Sequence, residues 1–312
     1  MRTRAFGTTG FAVSEIGLGA WQLGCAGWNG PRDEAAHRVV DEALALGCTF
    51  IDTAPPYADG RSEELLGEVL EGRRDQVVLC TKFGHTPEGT TDYSADRIEA
   101  SVEGSLRRLR TDHLDILLIH SPPRDLMNGT APHYRVLERL KDAGVIRAYG
   151  VSLREGSCDE LREVLDTTGS EAVEVRFNPL CQEPAPAIAE AGEKGVGIIV
   201  NVPLESGWLS GRYRADSTFD PVRSRWTRAE IARRAALVEE FEQALPAGTS
   251  TVHGALRFIL AQPGVATVIP GAKSVEQVRD NVAGADRSLP AESVDAIRAF
   301  WETRLRDDPL PW

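Results

Sequence analysis

Asp52, Tyr57, Lys82 and His120 are the side chains from which this sequence can assemble a proton donor. Asp52 closes the apolar run Thr49-Phe50-Ile51, and Tyr57 follows five residues later, after Pro55-Pro56. Lys82 closes Val77-Val78-Leu79-Cys80-Thr81, and His120 closes Asp115-Ile116-Leu117-Leu118-Ile119. A free phenol, with a pKa of about 10, is a poor acid at neutral pH. A nearby ammonium favours the phenolate, and each unit of lowering is about 1.4 kcal/mol of differential interaction. Asp52 would hold the Lys82 ammonium in place and offset part of its burial cost. His120 would donate a hydrogen bond to a substrate oxygen or relay the proton. Such a group is suited to protonating an alkoxide as it forms. Taken singly, each residue has an ordinary role: a salt-bridged Lys, an Asp in a turn or cap, a Tyr or His that merely packs. Their joint placement after three successive strand-like runs is what points to function.

The elements that must position these residues are short apolar runs alternating with helical patterns. The runs 16–20, 49–52, 77–82, 114–120, 146–152, 172–177, 197–202 and 267–270 read as strands covered on both faces, as in a parallel sheet. Ala36, Val39, Val40, Ala43 and Leu44 form one helical stripe, and Ile98, Val102, Leu106 and Leu109 another. Ser157-Cys158-Asp159-Glu160, Thr227-Arg228-Ala229-Glu230 and Ser274-Val275-Glu276-Gln277 fit the capping box. Gly47, Gly144 and Gly195 mark helix ends. Eight strand–helix units are the count for a (β/α)8 barrel, whose reaction site lies at the C-terminal ends of its strands. A doubly wound sheet is the alternative, but Gly17-Leu18-Gly19 followed by Leu23-Gly24 misses the dinucleotide-loop spacing that would favour it. Residues 4–6 and 11–14 around Gly7-Thr8-Thr9-Gly10 read as a hairpin plugging the barrel's N-terminal end. Residues 289–306 read as an extra C-terminal helix, followed by a tail. The stretch 206–226 is a long connection of the kind that is usually functional.

The 312 residues allow one barrel domain over 1–312 or two smaller domains. A hydrophobic content of 42% is too high for disorder, and 47 acidic against 35 basic residues give a net charge of −12. That balance argues against non-specific nucleic-acid binding. No apolar run approaches the roughly 20 residues of a membrane helix, and no secretory h-region follows Arg2 and Arg4. The five cysteines, Cys25, Cys48, Cys80, Cys158 and Cys181, are scattered and lack metal-type pairing. The expectation is a cytoplasmic protein without a metal, acting on a small molecule.

The sequence resembles the aldo-keto reductase family from Gly7 to about Asn281. Phe50-Ile51-Asp52-Thr53-Ala54-Pro55-Pro56-Tyr57 with Ser62-Glu63 is similar to that family's Asp/Tyr signature. Thr81-Lys82 and Leu118-Ile119-His120-Ser121-Pro122 are similar to its Lys and His segments. The resemblance implies a (β/α)8 barrel, NADPH in preference to NADH, and hydride transfer to an aldehyde or ketone with Tyr57 as general acid. It also implies that Gly271, Lys273, Gln277 and Asn281 bind the adenosine end, with Lys273 toward a 2′-phosphate. Pro203, Leu204, Ser206, Gly207, Leu209 and Gly211 would lie in the loop that closes over the pyrophosphate. Ser152, Glu174 and Trp21 would lie by the nicotinamide. The pattern departs from many members at Leu153, Glu174, Phe177 and Asn201, where Asn, Gln, Tyr and an aromatic or Arg are frequent. A carboxylate at 174 can accept from the carboxamide NH2.

The reading is a carbonyl reductase, or an alcohol dehydrogenase by the reverse reaction. A cofactor-binding regulatory subunit with little turnover, and a cofactor-free barrel isomerase or lyase, are the rivals. Trp21, Trp28, Phe83 and Trp208, with Tyr57 and Trp312, are the expected lining of an aromatic substrate pocket. Nothing in the pattern encodes an oligomeric state or one particular substrate.

Overall fold

The computed structural model describes residues 1–24, 30–219 and 225–311. Its first two strands, β1 (Thr3–Ala5) and β2 (Ala12–Ser14), pair antiparallel, with Gly7 and Gly10 at positive φ in the turn. The eight that follow are parallel and paired in chain order. They are β3 (Leu18–Gly19), β4 (Phe50–Asp52), β5 (Val78–Phe83) and β6 (Leu114–His120), then β7 (Ile146–Ser152), β8 (Ala172–Arg176), β9 (Gly197–Asn201) and β10 (Val265–Val268). Bridges Ile16–Val268 and Gly19–Gly271 join the first of these to the last, closing a (β/α)8 barrel.

Helices cover its outside: α1 (Asp33–Ala45), α2 (Arg61–Val69), α3 (Ile98–Leu109), α4 (Pro132–Asp142), α5 (Cys158–Thr167) and α6 (Ala185–Glu193) each follow one strand. Two helices, α7 (Arg228–Gln243) and α8 (Thr251–Ala261), separate β9 from β10. Then α9 (Val275–Gly284) precedes α10 (Ala291–Arg304), the expected C-terminal addition.

Strand alternation decides what reaches the centre. Phe50, Cys80, Leu118, Ala148, Ala172 and Ile199 are all buried in the lumen's apolar cluster. The N-terminal hairpin closes its lower end: Phe6 is fully buried and stacks on Phe50 with centroids 5.9 Å apart. Side chains two residues apart on a strand share a face. Stepping up the same face from that apolar layer therefore gives Asp52, Lys82, His120, Ser152, Glu174 and Asn201. The apolar core ends there, and a polar ring begins at the C-terminal rim.

Local chemistry explains the remaining agreements and differences. β6 and β7 have the expected bounds, because each is a long, uninterrupted pairing partner of the other. β3 is shorter than residues 16–20, since Gly17 and Gly19 sit where the chain passes close to its neighbours. A Cβ at Gly17 would lie 2.8 Å from the Phe50 carbonyl oxygen, and one at Gly19 2.7 Å from that of Ile269. β10 lies two residues earlier than expected, ahead of Pro270, which has no N–H to give. Thr227 forms the complete capping box with Glu230. Ser157 and Ser274 form only half of it: Glu160 accepts instead from Glu155 N and Gly156 N, and Gln277 from Lys273 N. Gly47, Gly144 and Gly195 have φ of 85°, 72° and 75°, the left-handed helix ends the sequence calls for.

Candidate active site

The sequence segments around the four residues explain why they are held. Ser62 Oγ donates to the Ala20 carbonyl at 2.9 Å and shares a hydrogen bond with Thr53 Oγ1 at 3.0 Å, tying the start of α2 to the ends of β3 and β4. Glu63 is fully buried and accepts from Thr81 Oγ1 and Arg108 Nε, both at 2.7 Å. The Ser62-Glu63 pair thus braces the residues beside Asp52 and Lys82. Tyr57 is delivered by a tight turn in which Ala58 and Asp59 take φ of 52° and 55°.

All four residues meet. Lys82, fully buried, pairs closely with Asp52 Oδ1 and donates to the Thr53 carbonyl at 3.1 Å and to Tyr57 Oη at 3.4 Å. The Tyr57 and His120 rings meet edge to face, with centroids 6.1 Å apart. Glu174 also enters the cluster: its Oε2 lies 3.1 Å from Lys82 Nζ. Its other oxygen accepts from Asn201 Nδ2 at 2.7 Å and from Ser152 Oγ at 3.3 Å.

The electrostatics correct one expectation. Lys82 pulls the Tyr57 phenol down, as anticipated, but burial outweighs it and Asp52 and Glu174 add to the rise, so the phenol titrates above its ordinary range. Burial and the neighbouring Glu174 likewise push Asp52 up, to about 8, against the pull of Lys82. For Lys82, burial alone would favour the neutral amine, but Asp52 and Glu174 overcome it and hold the ammonium well above its usual value. Burial, Lys82 and His85 keep His120 well below the ordinary imidazole range, so it is neutral. The site therefore contains a neutral phenol in contact with a firmly protonated amine, beside a neutral imidazole. That is an arrangement for giving a proton to an oxygen on which charge develops.

His85 was not anticipated. Its ring lies 4.6 Å from that of His120, and its Nε2 is 2.8 Å from Tyr93 Oη. Tyr93 donates to the His120 carbonyl at 2.6 Å. A phenol has one proton, so His85 Nε2–H is the donor to Tyr93. The only signal in the sequence is proximity, three residues beyond Lys82.

Two expected pocket residues lie elsewhere. Phe83 points out of the barrel, because its neighbour Lys82 points in; it is buried and stacks on His133. Trp208 is fully buried within Tyr213, Phe219 and Trp226, with centroids 5.5–5.6 Å from each, where the long connection joins the main apolar core. Trp21 is 42% exposed beside the end of β3. Trp28, Trp312 and Cys25 lie outside the described residues.

A model of the aldo/keto reductase family matches residues 15–302. The chain belongs to this family. The aldo-keto reductase AKR11C1 from Bacillus halodurans, in its holo form, superposes with a TM-score of 0.81 at 30% identity, covering 96% of each chain. The NADH-specific methylglyoxal reductase of Escherichia coli is 29% identical, over 95% of this chain and 99% of its own. Aldo-keto reductase yakc [NADP(+)] of Schizosaccharomyces pombe is 30% identical, over 92% of this chain and 88% of its own. As an aldo-keto reductase, the chain is an oxidoreductase of the nicotinamide-using kind.

The segments expected around a cofactor lie on the same rim of this aldo-keto reductase. Ser274 caps α9, accepting from Gln277 N at 3.3 Å, and Asn281 Nδ2 reaches the Gly271 carbonyl at 3.5 Å. Lys273 immediately precedes that cap. In the 203–211 loop and just before it, Glu205 and Ser206 take φ of 47° and 53° and Val202 takes 48°. Glu205 is buried and pinned by Arg234 Nη1 at 2.7 Å and Asn178 Nδ2 at 2.9 Å. The Pro203, Leu209 and Trp208 side chains are buried, so this loop offers a ligand backbone and the exposed parts of Leu204, Ser206, Gly207 and Gly211. Among the described residues no group of His, Cys, Asp and Glu is arranged to hold a metal, and no helix is long and apolar enough to cross a membrane.

Proposed function

We propose that this protein reduces a small aldehyde or ketone to an alcohol with NADPH, or runs the reverse reaction, with Tyr57 as the general acid. The observation that carries the reading is the buried contact of Tyr57 Oη with Lys82 Nζ at 3.4 Å on the barrel's C-terminal rim. The residues fit a nicotinamide. Asn201 Oδ1 is buried without a partner beside Ser152 and Glu174, an acceptor of the kind a carboxamide NH2 requires. The start of α9 supplies backbone donors and a positive dipole end for phosphate, with Lys273 adjacent.

A bound nicotinamide supplies the hydride. The chain does the rest. Tyr57 holds a proton at Oη and gives it to the carbonyl oxygen as that oxygen gains charge. Lys82 stabilises the phenolate left behind. Neutral His120 orients the oxygen with its N–H, and burial keeps the exchange away from bulk water. Lys273 is the basis for preferring NADPH; the two relatives named differ in their nicotinamide. Tyr57→Phe should lower the NADPH-linked reduction of a generic aldehyde by at least about 100-fold, the low end for general acid catalysis. Near-full turnover by that variant would refute the assignment. A tenfold higher kcat/KM with NADH than with NADPH would overturn the cofactor preference.

A further inference from the structure

Three ionisable side chains meet across the lumen, two from the adjacent strands β4 and β5, Asp52 and Lys82, and one from the distant strand β8, Glu174. Lys82 is sealed from solvent and the two carboxylates are nearly so, at 4% side-chain exposure each. Fully ionised, they would leave one unbalanced negative charge in a dry site, which is costly. The neighbours do not cancel it. Tyr57, Cys80 on β5 and His120 on β6 are all held neutral, and Ser152 on β7 and Asn201 on β9 carry no charge. Lys82 Nζ holds both carboxylates at once, Asp52 Oδ1 in close contact and Glu174 Oε2 at 3.1 Å, and two like charges brought onto one ammonium favour a proton on the pair.

We propose that Glu174 is a positioning residue that, with Asp52, holds one exchangeable proton against Lys82, and that this proton is the reserve from which Tyr57 is recharged. The inference rests on the carbonyl-reductase reading and deepens it. The chain of contacts is complete: carboxyl pair to Lys82 Nζ, and Lys82 Nζ to Tyr57 Oη. When Tyr57 has given its proton to the product oxygen, its phenolate takes one from Lys82. Lys82 takes one from the carboxyl pair. The pair is left with two negative charges facing the ammonium and the positively charged ring of an oxidised nicotinamide. It regains its proton from water when that ring departs. Net uptake is one proton per carbonyl reduced. A glutamine at 174 would accept and donate hydrogen bonds but could not share the proton.

Infrared spectroscopy of the unliganded protein tests the shared proton directly. Wild type near pH 7 should show a protonated-carboxyl stretch that disappears on titration through about pH 8, and Glu174→Gln should lack it. Asn201→Ala keeps both carboxyls but removes the amide N–H that favours the charged form. It should hold the band to higher pH and keeps the test open if Glu174→Gln does not fold. Calorimetry in buffers of different ionisation heat then reads the linkage. Wild type should release about one proton on binding NADP+ and none on binding NADPH, with the NADP+ Kd tightening about tenfold for each unit by which pH rises toward about 8. Absence of the band, or equal proton release for both cofactor forms, overturns the proposal. A band that behaves as described in a protein binding neither NADP+ nor NAD+ would instead defeat the nicotinamide reading, and with it the recharging role.

Discussion

Removing the guanidinium of Arg234 should destabilise the protein by about 4 kcal/mol, within the range for breaking a buried ion pair by deleting one partner. Arg234 is fully buried, and Glu205, its partner at 2.7 Å, is 5% exposed. Its other amino group donates to the Pro311 carbonyl, and its guanidinium carbon lies 5.1 Å from the Trp226 ring centroid. In Arg234→Met, Glu205 keeps only the Asn178 amide at 2.9 Å and is otherwise a lone charge without water. At roughly 2 °C per kcal/mol for a protein of this size, Tm should fall by about 8 °C. The double variant Glu205→Gln/Arg234→Met carries no stranded charge and should recover most of that loss, a coupling of about 2–3 kcal/mol. The assay is a double-mutant cycle by thermal and denaturant unfolding. Glu205 and Ser206 hold left-handed backbone angles in the loop read as covering the pyrophosphate. The single variant should therefore also raise KM for NADPH more than it lowers kcat. A single variant within about 1 kcal/mol of wild type, or a double variant no better than the single, would refute the reasoning.

Two further outcomes follow from the same geometry. Asp115 sits near the lower end of the barrel, 2% exposed at its side chain, between Arg74 and Arg147 at 2.7 Å each and the Leu79 amide at 2.9 Å. Asp115→Asn should cost about 2 kcal/mol, since Arg147 is half-exposed and its share is screened, while kcat stays at the wild-type value; a large loss of kcat at intact fold would contradict the division between a stabilising lower face and a reactive upper one. Ser62→Ala leaves the Ala20 carbonyl and Thr53 hydroxyl without their buried partner. It should cost about 1–3 kcal/mol in urea unfolding, and an unchanged midpoint would show that the Ser62 link does not brace the rim.

How much was legible in the sequence depended on whether the information lay along a strand or across the lumen. Residues 114–120 and 146–152 give their own bounds because they are long, mostly apolar runs paired with each other along nearly their whole length. The rim positions of Asp52, Lys82 and His120 follow from strand ends alone. Glu174 was read from family resemblance as a carboxamide contact, and its ion pair with Lys82 was missed. A carboxylate between Val173 and Val175 signals a buried charge, but its partner comes from a strand three places away in the sheet, which no local pattern specifies. Trp208 misled for the opposite reason. Position in a long connection suggested a pocket, whereas Tyr213, Phe219 and Trp226 in the same stretch were the clue that the connection folds onto the apolar core. The raised Tyr57 phenol needed burial, which competes with the ammonium and wins; the sequence offered only the ammonium. Likewise, Gly17 and Gly19 shortened β3 through contacts with Phe50 and Ile269, distant in the chain.

The barrel's closure has a consequence for the molecule's motions. The first and last staves touch through the bridges Ile16–Val268 and Gly19–Gly271, whereas β6 and β7 share six register partners. The glycines at this suture allow the two edges to approach but contribute no side chains to fasten them. The segment from Gly271 to Asn281 is one bank of the suture, and the polar rim begins on the other. A dinucleotide lying over both would act as a clasp across this joint of the cylinder. Its grip would register as slowed amide exchange on both banks at once.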